Sequence, residues 1–242
     1  MSDPVRIAMW SGPRNISTAM MRAFENREDA AVIDEPFYAA YLAATGLPHP
    51  MRAEVMATQP LDFNDAVRLV LGPVPGDRAI FYQKHMTHHM LPQFDRGWMA
   101  HTSHAFLIRA PELVLRSYAQ RRESVTLDDI GFRQQAELFD ETCQLLGHAP
   151  PVVDAMYILA NPEAALKKLC GALGIGFSPR MLNWPAGPRA TDGVWAPAWY
   201  ASVHRSTGFT APPEPPGALE PSLQRLAVQA RPYYDRLSTH RI

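Results

Sequence analysis

The residues best suited to chemistry lie near the start of the chain, in the stretch 10–18 (WSGPRNIST). It combines a glycine, an arginine and neighbouring hydroxyl side chains at the expected start of a helix, where free backbone N–H groups bind anions. The arginine adds a fixed charge that can hold phosphate or sulfate by two hydrogen bonds. The triphosphate loop G-x-x-x-x-G-K-[ST] is not matched, because Ser17 and Thr18 stand where glycine and lysine would be. The stretch predicts an anion-binding turn, with an ordinary capped helix start as the alternative.

The elements around this turn indicate its place in the fold. Short apolar runs predict strands, and longer periodic segments predict helices. Strands are expected at residues 5–10, 30–34, 79–83, 105–109 and 152–154. The clearest helices are expected at 17–27, 132–146, 162–173 and 219–237, the last broken or kinked at Pro232. The alternation favours an α/β fold of three layers, with a mainly parallel sheet flanked by helices and a P-loop-like phosphate-binding turn after the first strand.

The composition limits the class of protein. The chain has 242 residues, 47% of them hydrophobic and 19% charged, which is typical of one globular domain. We expect a single domain over 1–242, with a loop-rich part at 183–217 and a closing helix. The net charge of −1 gives no general attraction for nucleic acid, and no apolar run reaches the roughly 20 residues of a membrane span. Cys143 and Cys170 form no C-x-x-C pair and the N-terminus lacks a signal-peptide layout, so a cytoplasmic protein is expected.

Two motifs resemble the sulfotransferase family, whose members transfer a sulfuryl group from 3′-phosphoadenylyl sulfate (PAPS). Residues 13–18 (PRNIST) resemble the loop P-[KR]-S-G-T-[ST] that grips the 5′-phosphosulfate, with Ile16 where the family has glycine. The stretch FLIRAP resembles the family's 3′-phosphate motif, in which an arginine ends a strand and a serine follows eight positions later. Arg109 and Ser117 have this spacing, and Ala110 replaces the family's usual asparagine.

Three further stretches extend the resemblance. Residues 161–174 are similar to the family's helix after its last main strand. The stretch QKHM resembles the K-T-H-L segment of small-molecule sulfotransferases, which places His85 in register with their catalytic histidine and Lys84 one position from their lysine. The stretch DEPF resembles the "EP" segment of carbohydrate sulfotransferases, and Glu35 would match the early glutamate that related heparan enzymes use as a base. His85 and Glu35 are therefore alternative general bases.

The resemblance implies PAPS as the donor and its desulfated form, PAP, as the product. The residues implied in binding PAPS are Gly12, Pro13, Arg14, Asn15, Ile16, Ser17, Thr18, Arg109, Ser117 and Arg205, the last in a segment that could replace the family's C-terminal loop. The residues implied in catalysis are Arg14, Glu35, Lys84 and His85. No metal is required, because arginine, helix N–H groups and hydroxyls can neutralise the leaving phosphate. His85 and His89 have a spacing seen in zinc sites, but the sequence offers no third ligand at a familiar distance.

The acceptor is expected to be a small molecule or a carbohydrate that carries a hydroxyl or an amine. Trp195, Trp199 and Tyr200 either wall the acceptor pocket, stack on adenine or anchor the long loop to the core.

Two other functions stay open. The stretch AAVIDE looks like the strand and acidic pair that hold Mg²⁺ in ATPases, which would suit a nucleotide-dependent phosphotransferase or hydrolase of the same fold. The departures at Ile16 and Ala110 would suit a non-catalytic nucleotide-binding relative. A pyridoxal Schiff base on Lys84 has no phosphate cup or pyridine partner in the sequence to support it.

Overall fold

The computed structural model describes residues 3–120, 125–213 and 217–242. Within them the strands are β1 (Val5–Ser11), β2 (Ala30–Asp34), β3 (Ile80–Met86), β4 (Ser103–Ile108) and β5 (Val152–Asp154). They form one sheet in the order β2-β3-β1-β4-β5, and every neighbouring pair is parallel. The predicted α/β fold with a parallel sheet is confirmed.

Helices connect the strands and cover both faces of the sheet. They are α1 (Ser17–Glu25), α2 (Tyr38–Thr45), α3 (Arg52–Thr58), α4 (Phe63–Leu71), α5 (Pro111–Ala119), α6 (Leu127–Ile130), α7 (Phe132–Leu146), α8 (Ala155–Ala160), α9 (Pro162–Ala172), α10 (Ala196–Trp199), α11 (Ala201–His204) and α12 (Pro221–Ser238). Short 3₁₀ turns lie at Pro75–Asp77, Thr87–His89, Gly97–His101 and Pro179–Leu182. In the part of the chain that the structure describes, no helix is both long and apolar enough to cross a bilayer.

The sheet lies between two apolar layers because side chains along a strand point alternately to its two faces. Ile7 and Met9 of β1 pack in a buried cluster with α1 and α9, whereas Ala8 and Trp10 pack in a second cluster with α4, α7 and α12. All four are fully buried. The result is the expected three-layer arrangement.

The observed elements differ from the predicted ones in two places that affect the site. β3 continues to Met86, whereas the predicted strand ended at Gln83, so Lys84 and His85 lie inside a strand and point to opposite faces. The segment 183–217, predicted as loop, contains α10 and α11. The closing helix α12 continues through Pro232.

Candidate active site

A cavity of about 310 Å³ opens where the carboxyl ends of the central strands meet. Ligands of open parallel sheets bind at this edge. The loops that follow β1, β2 and β4, the end of β3 and parts of the C-terminal segment line the cavity. Its lining includes Pro13, Arg14, Asn15, Ile16, Ser17, Thr18, Glu35, Lys84, Arg109 and Ser117. Most of the residues predicted from the sequence therefore share one cavity.

Arg14, Ser17, Arg109 and Ser117, here called the anion group, come from two segments: the turn that leads into α1, and the β4–α5 motif. Arg14 Nε donates a hydrogen bond to Ser117 Oγ at 2.9 Å, across 103 positions of sequence. Arg109 Nη1 donates to the carbonyl oxygen of Arg14 at 2.8 Å. The turn after β1 and the β4–α5 motif, recognised independently in the sequence, are thus in direct contact.

The charges of the anion group favour a bound anion. Burial, followed by the positive charge of Arg14, lowers the pKa of Arg109, and Asp154 opposes this in part. Arg109 Nε is buried without a hydrogen-bond partner among the residues the structure describes. Helix α1 begins at Ser17 and adds its positive dipole end. A phosphate or sulfate would accept from the unpartnered donor and reduce the repulsion between the guanidinium groups, so these residues fit the charged groups of PAPS.

The turn itself has a strained backbone. Arg14 and Ile16 are left-handed, with φ of 63° and 56°. A β-branched residue rarely adopts this conformation, which costs roughly 1–2 kcal/mol, whereas glycine adopts it freely. Ile16 therefore keeps the backbone conformation suited to the glycine of the family motif, and its side chain packs against the buried cluster that Ile7 and Met9 form with α1 and α9. Strain of this kind is typical of ligand-binding loops.

Gly12 and Asn15 pack the turn against neighbouring backbone segments. Asn15 Nδ2 donates to the carbonyl oxygen of Leu107 at 3.2 Å, which ties the turn to β4. Gly12 was predicted to contact the donor, but it is buried and does not line the cavity. A Cβ atom on Gly12 would lie 2.8 Å from the carbonyl oxygen of Ile130. Glycine is needed here because two backbone segments approach closely.

Gly12→Ala is expected to destabilise the protein by about 1–3 kcal/mol, because the added methyl group must displace a backbone carbonyl. Gly171→Ala in α9 is the matched control, since nothing lies within 4 Å of its added Cβ. That helical replacement should stabilise the protein by about 0.5–1 kcal/mol. Chemical denaturation of both variants measures the difference, and a Gly12→Ala variant as stable as the parent would contradict the close approach.

Asp34, Glu35, Lys84 and Tyr200 form a second set, here called the acid–base group. Lys84 is 1% exposed, and its Nζ donates to Asp34 Oδ1 at 2.8 Å, Glu35 Oε1 at 2.7 Å and the Tyr200 hydroxyl at 2.5 Å. Burial would lower the pKa of Lys84, but Asp34, Glu35 and Tyr200 together hold it well above its usual value. Burial raises the pKa of Glu35, with Lys84 opposing the rise and Asp34 adding to it. The set contains a charged lysine beside a carboxylate of increased basicity.

The C-terminal segment is fixed to β2 through Asp34 of the acid–base group and to α1 through Arg22. The Tyr200 hydroxyl donates to Asp34 Oδ2 at 2.7 Å, and Trp195 Nε1 donates to the Tyr200 oxygen at 3.1 Å. Arg22 of α1, itself buried, binds both carboxylate oxygens of Asp192 at 2.6 and 2.7 Å. Since Trp195 and Tyr200 also line the cavity, these aromatic residues both anchor the segment and wall the pocket.

Besides Gly12, two more of the predicted site residues, His85 and Arg205, lie outside the cavity lining. His85 points to the opposite face of β3, where its ring stacks on Trp10 at 4.5 Å and its Nε2 lies 3.2 Å from Gln83 Oε1. Burial, with a smaller contribution from His104, lowers the pKa of His85 to about 3. His85 therefore lies outside the cavity, on the face of β3 opposite to Lys84. Arg205 is exposed, although Ser206 and Gly208 beside it do line the cavity.

The structure adds residues that the sequence analysis did not assign to the site. Tyr38, His49, His88 and His89 line the cavity next to Glu35. They come from α2, the α2–α3 loop and the 3₁₀ turn after β3. The His88-His89 pair was visible in the sequence, but only the extension of β3 to Met86 brings these rings to the sheet edge.

The fold is that of an α/β protein with an open parallel sheet, and arginine and hydroxyl side chains line a cavity at its carboxyl edge. The chain belongs to the sulfotransferase domain family, whose model matches residues 5–240. This confirms the resemblance seen in the sequence motifs.

Two curated relatives match nearly the whole chain. Branched-chain-amino-acid aminotransferase-like protein 1 of Arabidopsis thaliana is 37% identical over 240 residues, which is 99% of this chain and 43% of that protein. Protein 2 of the same name and plant is 35% identical over 235 residues, or 97% of this chain and 41% of that protein. The chain thus spans less than half the length of these relatives, and their name refers to the longer proteins.

Two solved sulfotransferases share the fold. The sulfotransferase domain from the curacin biosynthetic pathway is 17% identical with a TM-score of 0.56, over 95% of this chain and 99% of that one. The sulfotransferase from Alicyclobacillus acidocaldarius is 14% identical with a TM-score of 0.57, over 100% of this chain and 98% of that one.

Proposed function

We propose that the protein is a PAPS-dependent sulfotransferase that modifies a small-molecule or carbohydrate acceptor. The observation that carries the proposal is the contact of Arg14 with both Ser117 and Arg109. This contact joins the motif for the 5′-phosphosulfate to the motif for the 3′-phosphate, and only a nucleotide with both groups uses both motifs.

The anion group would hold PAPS, which supplies a sulfuryl group attached to a phosphate. Arg109 and Ser117 would bind the 3′-phosphate, and the N-terminus of α1 with Ser17 and Thr18 would bind the 5′-phosphate. Arg14 contributes positive charge where the leaving phosphate gains negative charge. With these donors in place, the proposed chemistry needs no metal.

Glu35 is the general base of this proposal. It follows β2 directly, lines the cavity and has a raised pKa, which suits a carboxylate that must accept a proton near neutral pH. Lys84 fixes Glu35 Oε1 by a hydrogen bond, which leaves Oε2 for the acceptor. His85 has no comparable position, because Lys84 and Met86 line the cavity and His85 does not.

Binding of PAP and AMP tests the proposal, since these nucleotides differ only in the 3′-phosphate. One hydrogen bond to a charged group contributes about 1.5–3 kcal/mol, and about 1.4 kcal/mol is a factor of ten. By titration calorimetry, PAP is therefore expected to bind at least tenfold more tightly than AMP. Arg109→Ala should remove most of this preference and leave AMP affinity nearly unchanged.

Arg116→Ala is the control for that experiment, because Arg116 is exposed on the same helix as Ser117 and lies outside the cavity lining. It should retain the preference for PAP. Equal affinity of the unmodified protein for PAP and AMP would contradict the 3′-phosphate site and favour the phosphotransferase alternative.

A further inference from the structure

His89 is held rigidly at the cavity wall, next to the proposed base. Its ring is 3% exposed and stacks between Tyr38, at 4.5 Å, and Tyr41, at 4.8 Å. Both stacking partners belong to α2, which follows Glu35 in the chain. The imidazole thus has a fixed orientation relative to the Glu35 carboxylate.

One atom of this ring is left without a partner. His89 Nδ1 is buried and makes no hydrogen bond within the described residues. It lies 3.9 Å from Glu35 Oε2, which is too far for a direct hydrogen bond. One oxygen atom can lie about 2.8 Å from both atoms at once. Buried polar atoms are normally satisfied, so the pair is suited to a ligand oxygen placed between them.

We propose that His89 Nδ1 and Glu35 Oε2 together hold the nucleophilic oxygen of the acceptor, so that the enzyme sulfates hydroxyl groups and not amines. The inference rests on the proposed function, in which Glu35 is the base. It assigns to His89 a role in selecting the class of acceptor.

The proton on the ring belongs on Nδ1, because that atom faces a carboxylate. Burial, followed by the nearby His88, His49 and Lys84, holds the pKa of His89 well below its usual value. The ring is therefore neutral and carries one proton, and the Glu35 charge favours the tautomer with that proton on Nδ1. His89 then donates a hydrogen bond to the bound oxygen while Glu35 accepts one from it.

The number of lone pairs on the nucleophile separates the two classes of acceptor. A hydroxyl oxygen has two lone pairs, one to accept from His89 and one to attack sulfur. A neutral primary amine has a single lone pair, so it cannot accept from His89 and attack at the same time. In the transfer, Glu35 takes the hydroxyl proton and the second lone pair forms the new O–S bond. The S–O bond to the phosphate of PAP breaks, and its electron pair stays on that phosphate.

Matched acceptors provide the test. The protein is incubated with ³⁵S-labelled PAPS and with pairs that differ only in the nucleophile and whose amine is uncharged at neutral pH: phenol and aniline, 4-methylphenol and 4-methylaniline, 2-naphthol and 2-naphthylamine. Label is expected in the hydroxyl members only. Comparable labelling of the amines would overturn the inference while leaving the sulfotransferase function in place. Absence of label from every pair, with PAP still bound, would count against both.

Two variants separate a hydrogen-bonding role of His89 from a structural one. His89→Phe keeps an aromatic ring between Tyr38 and Tyr41 but has no N–H, and it is expected to lower transfer to the hydroxyl acceptors ten- to hundredfold. His89→Asn places an amide N–H close to the position of Nδ1 and should retain most of the activity. Equal activity of His89→Phe and the parent, or loss in both variants alike, would contradict the role.

The tautomer gives a readout that needs no acceptor. In ¹⁵N-histidine spectra, the signal that disappears in His89→Phe is expected to show a protonated Nδ1 and a bare Nε2. The opposite tautomer would overturn the inference, whatever the activity measurements show.

Discussion

Glu35→Gln is expected to lower the turnover of sulfuryl transfer about 10²–10⁴-fold, the usual contribution of a general base. The amide has nearly the same shape, and its oxygen can still accept from Lys84 Nζ, which lies 2.7 Å from Glu35 Oε1 in the parent. It cannot take a proton from the acceptor. Turnover is measured with ³⁵S-labelled PAPS and the best hydroxyl acceptor, and PAP affinity by calorimetry should change little because Glu35 is not part of the anion group.

The pH dependence of turnover is an independent test of Glu35 as the general base. Glu35 must be ionised to act as a base, so turnover falls as the pH is lowered through its pKa. Burial raises this pKa above the usual 4.5, with Lys84 opposing the rise and Asp34 adding to it. The acid limb is therefore expected above pH 4.5, and it should be absent in Glu35→Gln.

His85→Phe is the matched control for the choice of base. The ring of His85 stacks on Trp10 and lies 5.4 Å from Phe37, so phenylalanine can occupy the same aromatic cluster. Turnover per folded molecule should remain within a few-fold of the parent. If His85→Phe abolished transfer while Glu35→Gln retained it, the assignment of the base to Glu35 would be wrong.

The fold was largely predictable because each element carries its own local pattern. The bounds of α7 and β5 match the prediction, since a long amphipathic period and a compact apolar run are unambiguous signals. β3 was predicted too short because Lys84 and His85 are polar and suggest the end of a buried strand. Both are nevertheless buried, because the carboxylate of Asp34 pairs with Lys84 and the ring of Trp10 stacks on that of His85.

The candidate site was predictable only where one short segment carries the information. Arg14 lies in a recognisable turn, and Arg109 and Ser117 have a recognisable spacing. The partners of Asp34 were not predictable, because Tyr200 lies 166 positions away and no periodicity links them. His89 was missed for a related reason: its significance is its distance from Glu35, which depends on where two strands end in space.

Lys84→Met is expected to destabilise the folded protein by about 3–5 kcal/mol at neutral pH. Methionine has a similar volume, but it leaves two buried carboxylates, Asp34 and Glu35, without the cation that both contact. An uncompensated buried charge is the main cost of breaking such a pair. The change should also loosen the C-terminal segment, because Tyr200 loses a partner. Urea denaturation monitored by tryptophan fluorescence measures the loss.

Lys167→Met is the matched control, because Lys167 pairs with Glu163 on the exposed surface of α9 and such pairs contribute about 0–1 kcal/mol. A loss of similar size in both variants would contradict the importance of the buried charges.

The difference in unfolding free energy between Lys84→Met and the parent should also depend on pH, in a direction that follows from Glu35. Without Lys84, the already raised pKa of Glu35 rises further, so the folded state binds a proton more tightly than the unfolded state does. The stability contributed by that proton is fully present below the unfolded pKa and is lost as the pH rises through the folded pKa. The difference in unfolding free energy between Lys84→Met and the parent should therefore become smaller as the pH is lowered from 8 toward 5. A difference that does not change with pH would mean that the destabilisation comes from lost packing and not from charge.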